Sequence, residues 1–150
     1  MPNPSQDDPH DLGRFLNAQA SVYDHALAEI KRGRKTSHWM WYIFPQFDGL
    51  GFSSTSRRYS IKSVAEAKAY LDHPILGKRL IACADAVLGV EGRTAFEIFG
   101  SPDEMKLKSS ATLFASVSPP DSVFARLLDK YYKGERDDKT LRLIEKSSED

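Results

Sequence analysis

Apolar side chains recur along this chain at helical spacing. Leu12, Phe15, Leu16, Tyr23, Leu27 and Ile30 recur at helical spacings of three, four and seven residues (12/15, 12/16, 16/23, 23/27, 27/30), with Ala20 and Ala26 between them. That is one face of a helix running to about Arg32, with Gly33 as its stop. Residues 37–44 are nearly all apolar or aromatic and end at Pro45, a run that periodicity assigns equally to a buried strand or a short buried helix. The helical patterns around it favour helix. Residues 46–63, with Gly49, Gly51 and a cluster of Ser and Thr, predict an irregular loop.

Helical signals resume at Ser63, a cap with Glu66 placed three residues later, and continue through Ala65, Ala69 and Tyr70 to His73. Pro74 suits the first position of the next helix, whose inner face is Leu76, Leu80, Cys83, Ala84, Val87 and Leu88. A short piece at residues 95–99 closes at Gly100. Ser101-Pro102-Asp103-Glu104 joins a cap, a first-turn proline and a capping-box acid, opening a helix predicted to bury Met105, Leu113 and Phe114. Pro119 and Pro120 break it, and Val123, Leu127, Leu128 and Tyr131 mark another. Asp137 or Asp138 caps a last helix through Leu141 and Ile144. The prediction is a mainly α, single compact domain of about six to seven helices over residues 10–147, with an irregular Gly/Ser-rich loop after the aromatic segment. Residues 1–9, with three prolines among polar side chains, read as a disordered leader.

Composition narrows the function classes. The 150 residues suffice for one core that buries roughly 70% of the unfolded surface. Lys+Arg and Asp+Glu stand at 21 each, which excludes a globally basic nucleic-acid binder. One cysteine, Cys83, excludes an internal disulfide and a CxxC pair and fits a reducing, cytoplasmic setting. No apolar run approaches the ~20 residues of a spanning helix, so no membrane role is expected. The neutral total hides an asymmetry. Residues 31–62 hold seven basic side chains (Lys31, Arg32, Arg34, Lys35, Arg57, Arg58, Lys62) against one acid, Asp48, together with seven of the sixteen aromatics.

That segment carries the candidate chemistry. Trp39 and Trp41 lie two apart, so on a helix they face different ways and one core cannot easily take both. An exposed indole stacks on planar rings, Gln46 can bond an amide or base edge, and His38 is a candidate general acid or base. Arg57 and Arg58 can hold a phosphate-bearing group. On the helix after Gly100, Lys106, Ser109, Ser110 and Thr112 form a polar group in mid-helix, where serines are poor helix formers and hydroxyls can reach a cleft. Lys106 and Ser110, four apart, also have the spacing of a Ser–Lys nucleophile pair. Each has a plain structural counterpart: large aromatics anchor small cores, basic side chains suit helix C-termini, and Asp103 suits a helix start. The four histidines have no metal-ligand spacing, and no GxGxxG, Walker or GxSxG motif occurs, so neither a metal nor a cofactor is expected.

Two functions fit these residues. One is binding of a small anionic nucleotide-like ligand, with or without chemistry on it, in a pocket formed by residues 38–46, which would bring His38, Gln46 and residues 109–112 together. The other is a non-catalytic interaction module whose basic face, residues 31–62, meets an acidic protein or nucleic acid; the zero net charge argues against nucleic acid.

The run His38-Trp39-Met40-Trp41-Tyr42-Ile43-Phe44-Pro45-Gln46 with Gly49-Leu50-Gly51 resembles the signature of a bacterial domain-of-unknown-function family. So do His73-Pro74 with Leu76-Gly77 and Arg79-Leu80, Ile98-Phe99-Gly100 with Asp103 and Lys106, and Ser109-Ser110 with Thr112-Leu113-Phe114. The blocks match in order over about residues 10–144. The family is similar to a small, mostly helical hypothetical protein from a mycobacterium, which implies a helical fold but brings no activity, substrate or cofactor. Its members are often labelled "calpastatin". Inhibitors of that name are long disordered chains, whereas this composition is globular.

Overall fold

The computed structural model describes residues 8–148, with ten helices and no strand among them. In chain order they are α1 (Gly13–Gln19), α2 (Tyr23–Lys31), α3 (Met40–Ile43), α4 (Ser54–Arg58), α5 (Val64–Asp72), α6 (Leu76–Leu88), α7 (Ala95–Phe99), α8 (Asp103–Ser116), α9 (Val123–Tyr132) and α10 (Asp138–Ser148). The mainly helical class agrees with the sequence pattern, but the count is ten, not six to seven, and the excess is in short pieces. The long first helix divides into α1 and α2 at Ser21 and Val22, two weak helix formers. Just before them, the buried Gln19 amide donates to Tyr42 O and Tyr70 Oη.

The aromatic run contributes only the single turn α3. The loop after it is more ordered than predicted: Ser53 caps α4, and Phe47 pairs with Ile61 in an isolated bridge. Of the predicted leader, residues 1–7 lie outside the described residues. Asp8 does not fit that prediction, since its carboxylate accepts from the Leu12 and Gly13 N–H groups at 2.7 and 2.8 Å and so opens α1.

Several predicted caps are present. Ser63 Oγ accepts from Glu66 N, Gly33 and Gly100 end their helices at positive φ, and Asp137 accepts from Thr140 N. Two starts differ. The α6 start uses His73, whose Nδ1 accepts from Ile75 and Leu76 N–H, and Pro74 lies ahead of the helix. Pro102 itself occupies the cap position of α8, so no Ser101 side chain caps it.

Helix α8 is the centre of the molecule. It packs on α5, α7, α9 and α10, and every residue from Ser109 to Ala115 is buried. A helix enclosed on all sides need not be amphipathic, which explains how Ser109, Ser110 and Thr112 come to lie inside. Met105, predicted as core, is instead 50% exposed at its solvent end. Helices α5 and α6 approach so closely at Gly77 that a Cβ there would lie 2.0 Å from the Leu71 carbonyl oxygen. No described helix is long and apolar enough to cross a membrane.

Candidate functional site

A buried carboxylate organises the aromatic segment. Glu29, on α2, accepts from Thr36 N at 2.7 Å, Ser37 N at 3.0 Å, Trp39 Nε1 at 2.9 Å and the Ser37 hydroxyl. Burial pushes this carboxyl up, but the four donors outweigh it and hold it at about 2. Trp39 is thereby fixed in the core at 1% exposure. Its indole N–H is used inside the protein, so it is an anchor and not a stacking platform.

The clasp feeds into a chain of charges. Lys35 Nζ lies 2.9 Å from Asp103 Oδ2, and Asp103 Oδ1 lies 3.1 Å from Lys106 Nζ. Lys106 Nζ stands 4.0 Å from the centroid of the half-buried Trp41 ring, within cation–π range. Burial raises the Asp103 carboxyl, but the hydrogen bonds from Lys35 and Lys106 bring it below the usual carboxylate range. The Lys106 ammonium is thus held between a carboxylate and a ring face with N–H capacity left over.

Lys106 opens into a cleft of about 340 Å³ lined by Gln46, Leu50, Pro102, Met105, Lys106, Ser109, Asp137 and Lys139. The Ser109 hydroxyl is 3.1 Å from both Met105 O and Asp137 Oδ2. Thr112 Oγ1 donates to Lys108 O and accepts from Asp137 N at 2.9 Å, so Thr112 positions Asp137 from behind the wall. Gln46, Lys106 and Ser109 therefore meet, with Trp41 and Thr112 as supports. Asp137, Asp103, Pro102 and Met105 were legible only as helix-start signals and core, Leu50 only within the Gly49-Leu50-Gly51 block, and Lys139 carried no signal.

Other candidates lie elsewhere. His38 is exposed and does not line this cleft. Ser110 Oγ is buried with no hydrogen-bond partner among the described residues, and no hydrogen bond joins it to Lys106 as a Ser–Lys pair requires. Arg57 and Arg58 line a separate cleft of about 480 Å³ with His10, Arg14, Lys62 and Glu66. There Arg14 directs its N–H groups to the carbonyls of His10, Asp11, Arg58 and Ser60 and to Glu66 Oε2 at 2.6 Å. Arg58 leans on Tyr59, and Lys62 pairs with Asp48. Most of that cleft's cations already have protein partners. Cys83 is fully buried, and burial pushes its thiol up to about 12, so it is a packed thiol and not a nucleophile.

The family described as "Protein of unknown function (DUF1810)" matches residues 9–144. Among solved structures, the conserved hypothetical protein Rv1873 from Mycobacterium tuberculosis is similar at 50% identity. That alignment covers 92% of this chain and 99% of the other, with a TM-score of 0.90. No curated protein matches the chain.

Proposed function

The chain belongs to the DUF1810 family of proteins of unknown function, and from that premise we propose that it binds a small anionic ligand in the cleft between Gln46 and Lys106. One observation carries the reading. Gln46 converges with Lys106 and Ser109, one turn apart on a helix some sixty positions downstream, on one concavity, and the cation among them is fixed by a carboxylate and an indole face. The cleft's size lies within the range of small-molecule sites, and it pairs apolar walls (Leu50, Pro102, Met105) with a few placed polar groups. In this reading Lys106 holds the negative charge, Gln46 orients the ligand through its amide, and Ser109 supplies a hydroxyl. His38 is outside the contact set. The alternative, a basic face over residues 31–62 meeting an acidic protein or nucleic acid, has less support, because Lys35 and Lys62 are paired with Asp103 and Asp48.

A thermal-shift screen of nucleotides, nucleotide sugars and phosphorylated metabolites tests the proposal. A ligand at one hundred times its Kd adds about 2.7 kcal/mol, which for this length raises Tm by roughly 5–10 °C. Lys106→Ala and Gln46→Ala should each reduce the shift, and His38→Ala should leave it unchanged. A shift indifferent to both cleft variants, or a folded protein that no compound in the screen stabilises, would refute the reading.

A further inference from the structure

The cleft does not end at Asp137. A second concavity of about 580 Å³ is lined by Lys108, Glu135, Arg136, Asp137, Asp138, Lys139 and Arg142, so the two share Asp137 and Lys139 as a common border. The two lobes differ in chemistry. On the Gln46 side stand Leu50 and Met105, and the Phe52 ring, 74% exposed, lies 5.9 Å from Lys139 Nζ. Met105, 50% exposed, lines that side, and the exposed Phe52 ring stands beside the border residue Lys139. On the other side the lining is almost wholly charged.

The charges in that second lobe are not equally engaged. Lys108 pairs with Glu135 at 3.5 Å. Asp137 is committed as the α10 cap, accepting from Ser109, Thr140 N and the Thr140 hydroxyl. Arg136, Lys139 and Arg142 have no carboxylate within ion-pair distance among the described residues. The Arg57–Arg58 cleft is the opposite case, since most of its cations are already bound to the protein. The lobe's four cations face three carboxylates, Glu135, Asp137 and Asp138, a net +1; with three of the cations free of ion pairs and an apolar wall alongside, it matches a phosphate joined to a less polar group.

We infer that the ligand of the proposed site is bipartite, with an apolar or planar portion against Leu50 and Met105 and a phosphate portion that extends the anionic site from Lys106 past Lys139 to Arg136 and Arg142. This rests on the cleft reading above and adds to it the class of compound: a phosphate ester of a planar or apolar group, a nucleoside phosphate being the simplest representative. Lys139 stands at the junction, on the border of both lobes, with its ammonium near the Phe52 ring.

Calorimetric titration of the full chain with adenosine, ADP and inorganic pyrophosphate separates the two portions. The double variant Arg136→Ala/Arg142→Ala removes exposed side chains and should leave the fold intact, as a thermal melt without ligand checks. In wild type, ADP should bind at least tenfold more tightly than adenosine and weaken with added salt. In the double variant ADP should lose about tenfold or more while adenosine is unchanged. Lys31→Ala/Arg32→Ala, exposed and basic but outside both lobes, should change neither. Unaltered ADP affinity in the double variant, with a loss in Lys106→Ala, overturns the phosphate lobe and spares the cleft. Pyrophosphate binding that survives Gln46→Ala but not the double variant supports the lobe and removes the cleft reading. Wild type that binds none of the three overturns both.

Discussion

Replacing Glu29 with glutamine removes one charge from a site where four donors converge on a carboxylate that is 4% exposed. The carboxyl falls from an ordinary 4.5 to about 2 on folding. At about 1.36 kcal/mol for each tenfold change in ionisation, that difference is worth roughly 3 kcal/mol, and solvent screening at the loop edge lowers the expectation to about 2 kcal/mol. Glutamine also turns an N–H group toward donors, adding about 1 kcal/mol for a lost hydrogen bond. Because the folded carboxyl is depressed, its contribution is complete above about pH 4.5 and is lost as pH falls from there toward 2. Urea titrations of both proteins at pH 7, 5, 4 and 3 read this directly, through Cm at constant m. The wild type should be more stable at pH 7 by about 2–4 kcal/mol, and the gap should narrow by about 1 kcal/mol or more at pH 3. Asp48, Glu97 and Asp103, also held low, titrate in both proteins and cancel. A gap of the same size at pH 7 and pH 3 would show that the charge of Glu29 contributes nothing, and the account of the clasp would fail.

Three further outcomes are expected. Gly77→Ala should cost about 3 kcal/mol or more, or abolish folding, since its Cβ meets the Leu71 carbonyl. Gly92→Ala, open on all sides but at φ +74°, should cost only about 1–2 kcal/mol, and equal melting temperatures for the two would contradict the packing. The Cys83 thiol should resist a disulfide reagent at pH 8 in the native protein and react at once in urea; rapid native labelling would refute its burial. Asp103→Ala leaves the buried Lys35 unpaired and should cost about 3 kcal/mol, much of it regained by adding Lys35→Met, and strictly additive effects would remove the pairing argument.

What the sequence disclosed follows from range. Caps are local, and Ser63, Gly33, Gly100 and Asp137 could be found because donor and acceptor lie within a few residues. The burial of Gln19 at the end of α1, donating to Tyr42 and Tyr70, partners 23 and 51 positions away, is recorded by no periodicity. The two tryptophans were separable in principle, since their spacing puts them on different faces. Which of them faces inward was decided by Glu29, ten positions upstream. In the site, Gln46, Lys106 and Ser109 stood out as polar residues in places where solvation alone did not explain them. Arg136, Lys139 and Arg142 were indistinguishable from an ordinary charged surface, because an unpaired cation is recognised only when its surroundings are known.

Lys106 and Ser109 project from the most enclosed helix of the molecule. Amide protons from Ser109 to Ala115 lie beneath α5, α7, α9 and α10 and should be among the slowest to exchange, so the Ser109 side of the cleft floor is rigid. A ligand bound as proposed would meet a Ser109 hydroxyl already held by Asp137 and a Lys106 ammonium already held by Asp103 and Trp41. Little ordering remains to be done at the moment of binding. Affinity at this cleft should therefore track the global stability of the protein only near its melting point, and be insensitive to it well below.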